Sequence, residues 1–226
     1  MRITFLGTGT SQGVPVIACG CRTCRSVDKK DQRLRSSVLI EVAGKVFIID
    51  TSPDFREQML REDVQKLDAI FYTHEHRDHV AGLDDIRAYN FKQQQPMDVF
   101  AEERVQKALE REFEYVFEEE KYPGIPQVNM HTIVNQPFLV QGVEIVPVRA
   151  MHYKLPVLGF RIQDFTYITD ANFIAPDEKE KIKGSKVLVI NALRKKKHIS
   201  HFTLSEAIEL IQEISPDKAY ITHISH

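Results

Sequence analysis

The densest chemistry in this 226-residue chain lies in Thr73-His74-Glu75-His76-Arg77-Asp78-His79. Three imidazoles and the Asp78 carboxylate fall within six residues, directly after an apolar run that ends at Tyr72. A strand exit of this kind is where a rigid scaffold presents ligands. His74 and His76 lie two apart, so an extended backbone projects both to one side. Asp78 and His79 follow where the chain turns into a helix, which aims them at a second position nearby. Imidazole with carboxylate suits zinc, iron or manganese, and the absence of a thiolate argues against a purely structural zinc. The plain alternative, a solvated polar loop, fits an isolated histidine and not four ligands packed so closely. Nor is this the zincin helix motif. After His74-Glu75 the second histidine would stand at position 78, which is Asp78.

A second cluster is Cys19-Gly20-Cys21-Arg22-Thr23-Cys24, which holds every cysteine of the chain. An odd number of cysteines in one place makes a poor disulfide framework and a reasonable metal site. Three thiolates need a fourth donor to close a tetrahedral zinc. The alternative is three free thiols in a reducing cytoplasm.

The elements that must position these groups follow from patterning. Strand runs are Arg2–Leu6, Val38–Val42, Val46–Ile49 and Leu67–Tyr72, then Phe138–Val140, Val143–Val148, Val157–Ile162, Tyr167–Thr169, Val187–Ile190 and Ala219–Thr222. Ala43-Gly44-Lys45 separates two β-branched runs and predicts a hairpin. Helices are expected from Pro53-Asp54 onward, over Val80–Gln93, over Glu102–Glu120, and over Leu204–Ile214 with Leu204, Ala207, Ile208 and Ile211 on one face. Strand-rich halves that each carry helices predict two sheets packed face to face with helices outside.

Composition narrows the class. At about 150 residues per domain, the length allows one large domain or two small ones. Thirty basic against 32 acidic residues, a net charge of −2, gives no electrostatic case for nucleic acid or an anionic membrane. No apolar run approaches the roughly 18 residues of a membrane span. The start, Met1–Gly9, is broken by Gly7 and Gly9 too early for a signal peptide, so the cytoplasm is the expected compartment.

His-x-His-x-Asp-His after a strand resembles the signature of the metallo-β-lactamase-fold hydrolases. That resemblance implies an α+β fold, a four-layer αββα sandwich spanning residues 1–226 as a single domain, with two divalent metals, zinc or manganese. It also implies further ligands in a set order, which this chain supplies as His152, Asp170 and His223, each after a strand-like run. Alone, His152 reads as a loop histidine and Asp170 as a turn residue or helix cap. By the resemblance, His74, His76 and His152 hold one metal, Asp78, His79 and His223 the other, and Asp170 bridges them. Asp50, ending the Val46–Ile49 strand, is a candidate for holding the ligand loop.

The cysteine trio, His226 three residues beyond His223, and the opening Gly7-Thr8-Gly9-Thr10-Ser11-Gln12-Gly13-Val14-Pro15 are similar to the phosphoribosyl cyclic phosphate phosphodiesterase subfamily. There Cys19, Cys21, Cys24 and His226 imply one structural zinc. The opening is no dinucleotide fingerprint, because its third glycine comes one residue late and Pro15 follows. His201, just before the last helix, matches a histidine that contacts the phosphate or protonates the leaving oxygen. The resemblance thus implies a phosphodiesterase acting on a small cyclic or sugar/nucleotide phosphodiester through a two-metal-activated hydroxide, with Asp78 and His201 catalytic. The run Arg194-Lys195-Lys196-Lys197 leaves room for a minor role in attracting an anionic substrate, while His198 and His131 read as surface residues.

Three alternatives compete. A tRNA-tail endoribonuclease shares the catalytic ligands but resembles a longer chain with a protruding arm, for which no insertion is found. A cofactor-biosynthesis protein of the pyrroloquinoline quinone pathway shares the cysteine trio without needing all seven ligands. A non-catalytic zinc-binding module would bind metal without turnover. Lactam hydrolysis is disfavoured, because the cysteines precede the metal motif instead of supplying a late ligand. The subfamily continues with a short tail after the final histidine pair, whereas this sequence stops at His226, a terminal ligand prone to fraying. Residues 97–135 shape either a substrate mouth or a homodimer surface.

Overall fold

The strands that carry the motif loops are short and rich in β-branched residues, and they assemble into two mixed sheets. The computed structural model describes residues 1–118, 120 and 122–226. Two compact units are present, each interrupted in sequence: Met1–Gly7 with Ser37–Val134, and Thr8–Ser36 with Asn135–His226.

The first unit contains β1 (Arg2–Gly7), β2 (Ser37–Val42), β3 (Lys45–Ile49), α1 (Phe55–Arg61), β4 (Ala69–Phe71), α2 (Arg77–Val80), α3 (Arg87–Gln93), β5 (Met97–Ala101), α4 (Glu103–Glu112), α5 (Glu114–Phe117) and β6 (Val128–Thr132). Its sheet runs β1-β2-β3-β4-β5-β6. The β1–β2 and β2–β3 pairs are antiparallel, and every pair from β3 to β6 is parallel. The predicted hairpin is present, with φ of 51° at Ala43 and 73° at Gly44. Two positive φ values make the turn whose twist matches the flanking strands. Leu6, Ile48, Ile70 and Val99 from the sheet share a core with Phe55, Val80, Leu83, Val105 and Leu109 from the helical side.

Two expected helices are broken. The Val80–Gln93 stretch ends α2 at Val80, passes through a 3-10 turn at Leu83–Ile86 and resumes as α3. Gly82 is the reason. Its N–H donates to the Thr51 carbonyl at 2.9 Å, and a Cβ there would lie 2.4 Å from the Ser52 oxygen and 2.5 Å from Phe55 Cβ. Chain contact at this closeness takes priority over helix continuation. The Glu102–Glu120 helix divides at Phe113, whose φ of −123° leaves the helical region as its ring is buried. Glu119, at its expected end, lies outside the described residues.

The second unit contains β7 (Phe138–Val140), β8 (Val143–His152), β9 (Leu155–Ile162), β10 (Phe165–Ile168), β11 (Phe173–Ile174), α6 (Pro176–Ile182), β12 (Val187–Asn191), α7 (Leu204–Ile214) and β13 (Lys218–Thr222). Its sheet runs β11-β8-β9-β10-β12-β13, with β7 paired to β8. β10, β12 and β13 are parallel neighbours. Strand β8 runs past its expected end at Val148, so His152 is its last residue. Val148, Ile168, Leu188 and Ile190 form a core with Ile182, Ala207, Leu210 and Ile214. Helix α7 begins with a capping box: Thr203 accepts from Glu206 N, and the Glu206 carboxylate accepts from Thr203 N. The α+β class expected from the sequence is the class observed. Among the described residues no helix is long and apolar enough to cross a membrane.

Candidate metal centre

In the first unit the motif begins two residues past the end of β4, and a buried carboxylate organises it. Asp50 follows β3 with φ of 65°, a backbone conformation that few residues other than glycine adopt. Its Oδ1 accepts from Thr73 N at 2.9 Å, and its Oδ2 accepts from Thr73 Oγ1 at 2.9 Å. His79 Nδ1 lies 2.7 Å from the same Oδ2, so that nitrogen carries the proton and donates. Thr73 has spent its hydroxyl proton on Asp50, so His74 Nδ1, 2.9 Å away, donates to Thr73 Oγ1. Both imidazoles are therefore fixed in the tautomer that offers Nε2 as a lone pair. Burial pushes the Asp50 carboxyl up, and His79 and the Thr73 bonds oppose that.

Ring nitrogens and a carboxylate oxygen converge beyond this buried layer. His74 Nε2 is 3.0 Å from His76 Nδ1, and His79 Nε2 is 3.1 Å from Asp78 Oδ2. Donors on one tetrahedral zinc stand about 3.4 Å apart, from zinc–nitrogen bonds of about 2.0–2.1 Å. Glu75 is turned to Arg104 as an ion pair.

In the second unit three imidazoles gather on one carboxylate oxygen. Asp170 Oδ1 lies 3.3 Å from His223 Nε2, 3.7 Å from His201 Nδ1 and 4.0 Å from His152 Nε2. Each comes from a strand end: His152 closes β8, Asp170 follows β10 and His223 follows β13. His152 Nδ1 donates to the Ser200 carbonyl at 2.7 Å, so its Nε2 is the nitrogen that faces Asp170. Thr169 Oγ1 donates to Asp170 Oδ2 at 2.7 Å. His223 is tied down by its own N–H, which donates to Ser36 Oγ at 3.1 Å. The His201 ring stacks on His223 at 4.9 Å between centroids and packs on His152 at 4.5 Å. Burial, above all, pulls the His201 imidazole down to about 3; Asp170 opposes this and the neighbouring imidazoles add to it. His201 Nδ1 is buried without a hydrogen-bond partner. Imidazoles around a carboxylate, with His201 Nδ1 left over, are a donor set a divalent cation takes.

A second set lies wholly within this unit. Cys19, Cys21, Cys24 and His226 place four ligand atoms within 4.8 Å of one another. His226 Nδ1 is 3.1 Å from Cys21 Sγ and 3.3 Å from Cys19 Sγ. The Cys24 N–H bond to its sulfur, followed by His226, lowers the Cys21 thiol to about 6. Three thiolates and one imidazole match a closed tetrahedral zinc.

Other sequence readings fare differently. Arg194–Lys197 is exposed, and the Arg194 guanidinium donates to the Lys196 and Lys197 carbonyls. His131 is exposed and stacked on Phe100, as a surface residue should be. His198, read as a surface residue, is half-buried with its ring 5.1 Å from His201. Sequence reasoning passed over Thr73, Ser36 and Asn191, whose roles are hydrogen bonds to backbone or to ligand residues and leave no compositional signal.

Known proteins bear on this arrangement. The family model "Beta-lactamase superfamily domain" matches residues 45–224. A crystal structure of a new diphosphatase from the PhnP family is 38% identical, with a TM-score of 0.92 over 99% of this chain and 87% of that one. Zn2+-bound PqqB from Methylobacterium extorquens shares the fold, with a TM-score of 0.82 at 18% identity, over 100% of this chain and 89% of that one. A Porphyromonas gingivalis octanoyltransferase is 42% identical over 100% of this chain and 46% of its own length. A ribonuclease Z of Cyanothece sp. is 30% identical over 73% of this chain and 47% of its own length. The chain spans about half the length of these two curated relatives. With the family model covering most of its length and its fold shared throughout, the chain belongs to the metallo-β-lactamase superfamily and resembles the PhnP family within it.

Proposed function

We propose that this protein is a dinuclear metal-dependent phosphodiesterase, acting as one domain over residues 1–226 on a small cyclic or sugar/nucleotide phosphodiester. The observation that carries it is the gathering of His152, His201 and His223 nitrogens within 4.0 Å of Asp170 Oδ1. In this reading His74, His76 and His152 hold one metal, Asp78, His79 and His223 hold the other, and Asp170 serves both. Two divalent metals, zinc or manganese, supply Lewis acidity and a water of lowered pKa. The chain's own work is to hold these donors in one protonation state. Asp50 and Thr73 keep the Nδ1 protons of His79 and His74, and Ser200 keeps that of His152. Asp78 orients the attacking water, and His201, held as a neutral imidazole, contacts the phosphoryl oxygen.

Cys19, Cys21, Cys24 and His226 hold a structural zinc. Their free thiols suit a reducing compartment, the cytoplasm in this reading. A small-molecule substrate is preferred to nucleic acid because the net charge of −2 offers no basic clamp. A diphosphate linkage is the second reading, favoured by the likeness to the PhnP-family diphosphatase.

The test is a panel of cyclic phosphodiesters, linear phosphodiesters and diphosphate-linked compounds, assayed on protein of measured metal content. Turnover of diesters with two metals bound beyond the cysteine site supports the proposal. Full metal content with no hydrolysis of any member would leave a non-catalytic metal-binding module.

A further inference from the structure

Strand β12 supplies no ligand to the proposed centre, yet it stands between two of the three strands of its sheet that do. It is parallel to β10, with Ile190 opposite Ile168, and parallel to β13, with Asn191 opposite Thr222. Asp170 leaves the end of β10 and His223 the end of β13. The last residue of β12, fully buried Asn191, makes two hydrogen bonds to the backbone of one residue. Its Oδ1 accepts from Ala171 N at 2.8 Å, and its Nδ2 donates to Ala171 O at 2.9 Å. The backbone N–H can only donate, so the orientation of the carboxamide is settled by its partner.

Ala171 follows Asp170, whose φ of 54° is a conformation that a non-glycine residue keeps only under constraint from its surroundings. The carbonyl of Ala171 also accepts from Phe202 N at 2.7 Å, which joins the residue after Asp170 to the residue after His201. Asn172 N donates to Met151 O at 2.8 Å, beside His152. The turn carrying Asp170 is thereby braced on three sides, and Asn191 is the one side chain among these three braces.

We propose that Asn191 is a positioning residue for the metal centre. It locks the Asp170–Ala171 backbone so that the Asp170 carboxylate stays among His152, His201 and His223, and it touches neither metal nor substrate. This rests on the function proposed above. A carboxamide, with a donor and an acceptor side by side, serves both the N–H and the C=O of Ala171. Aspartate keeps the acceptor and sets a second oxygen against the Ala171 carbonyl, and alanine removes both bonds.

The experiment is Co(II) titration of the metal-free protein and of Asn191→Ala and Asn191→Asp, following the d–d absorption spectrum. It is paired with kcat and KM on bis(p-nitrophenyl) phosphate and with the unfolding temperature of each metal-free protein. Expected are an altered spectrum, affinity lowered about 10–100-fold at the dinuclear centre, the scale for losing a partner of a metal ligand, and a loss in kcat with KM nearly unchanged. Variants that keep the parental spectrum, affinity and kcat would overturn the inference, even with a lowered unfolding temperature, since that marks a purely structural role. Where Asn191→Ala fails to fold, Asn191→Asp and Asn191→Ser carry the same readings. Parent protein that takes up no Co(II) outside the cysteine site defeats the proposed function, and the inference falls with it. Parent protein that binds and turns over, with variants that match it, defeats the inference alone.

Discussion

His79 donates its Nδ1 proton to Asp50 at 2.7 Å, while the same carboxylate accepts from both the backbone and the hydroxyl of Thr73. One buried group therefore sets the tautomer of His79 and the path of the loop that carries it. Asp50→Asn keeps the shape and places an NH2 where an acceptor is needed. It is expected to weaken metal binding about 10–100-fold, measured by competition with a chromophoric chelator. Unchanged affinity would mean that His79 does not depend on Asp50.

Asp170→Ala removes the carboxylate on which three imidazoles gather. Turnover of any phosphodiester should fall by at least about 10²-fold, the scale for losing even an outer partner of a ligand. Metal content should drop below that of the parent. Full activity with two metals bound would sink the ligand assignment.

Cys21→Ser is expected to cost one zinc and much of the folding free energy. Structural zinc in small peptides contributes roughly 10–16 kcal/mol, and part of that scale should appear as a lowered urea midpoint. Zinc analysis equal to that of the parent would show that no closed site exists.

Gly82→Ala tests packing alone, because φ at Gly82 is −86° and strains no side chain. The added methyl would press on the Ser52 carbonyl and on Phe55. Overpacking of this kind costs about 1–3 kcal/mol. Thermal unfolding should report it, and metal affinity should fall too if His79 shifts with α2.

Ala43→Asn goes the other way. Ala43 holds φ of 51° ahead of Gly44 in the β2–β3 turn, where Asn-Gly is the preferred pair. Relieving that conformation should stabilise the protein by about 0.5–1 kcal/mol without touching activity.

The ligand loop was legible because its chemistry is local: four donors within six residues need no tertiary information. His152, Asp170 and His223 stand out in the sequence only through the order of ligands in a known family, since a single histidine at a strand end carries no signal of its own. Broken helices were the main loss. Periodicity across Gly82 and Phe113 is continuous, and the breaks come from close approach of Ser52 and Phe55 and from burial of the Phe113 ring. Strands β5 and β6 went unseen in residues 97–135, because β6 is mostly polar and half-exposed and pairs as a strand through β5. Asn191 was invisible for a related reason. A side chain that bonds to backbone is specified by position and not by pattern.

Cys21 and His226 are 205 positions apart, although their ligand atoms lie 3.1 Å from each other. At a ribosomal rate of about 5–20 residues per second, the thiols emerge roughly 10–40 s before their imidazole partner. The loop between Thr8 and Ser36 also belongs to a unit whose remainder starts only at Asn135. During synthesis, then, the first unit can collapse early, while the cysteine loop stays open until the distant His226 is made.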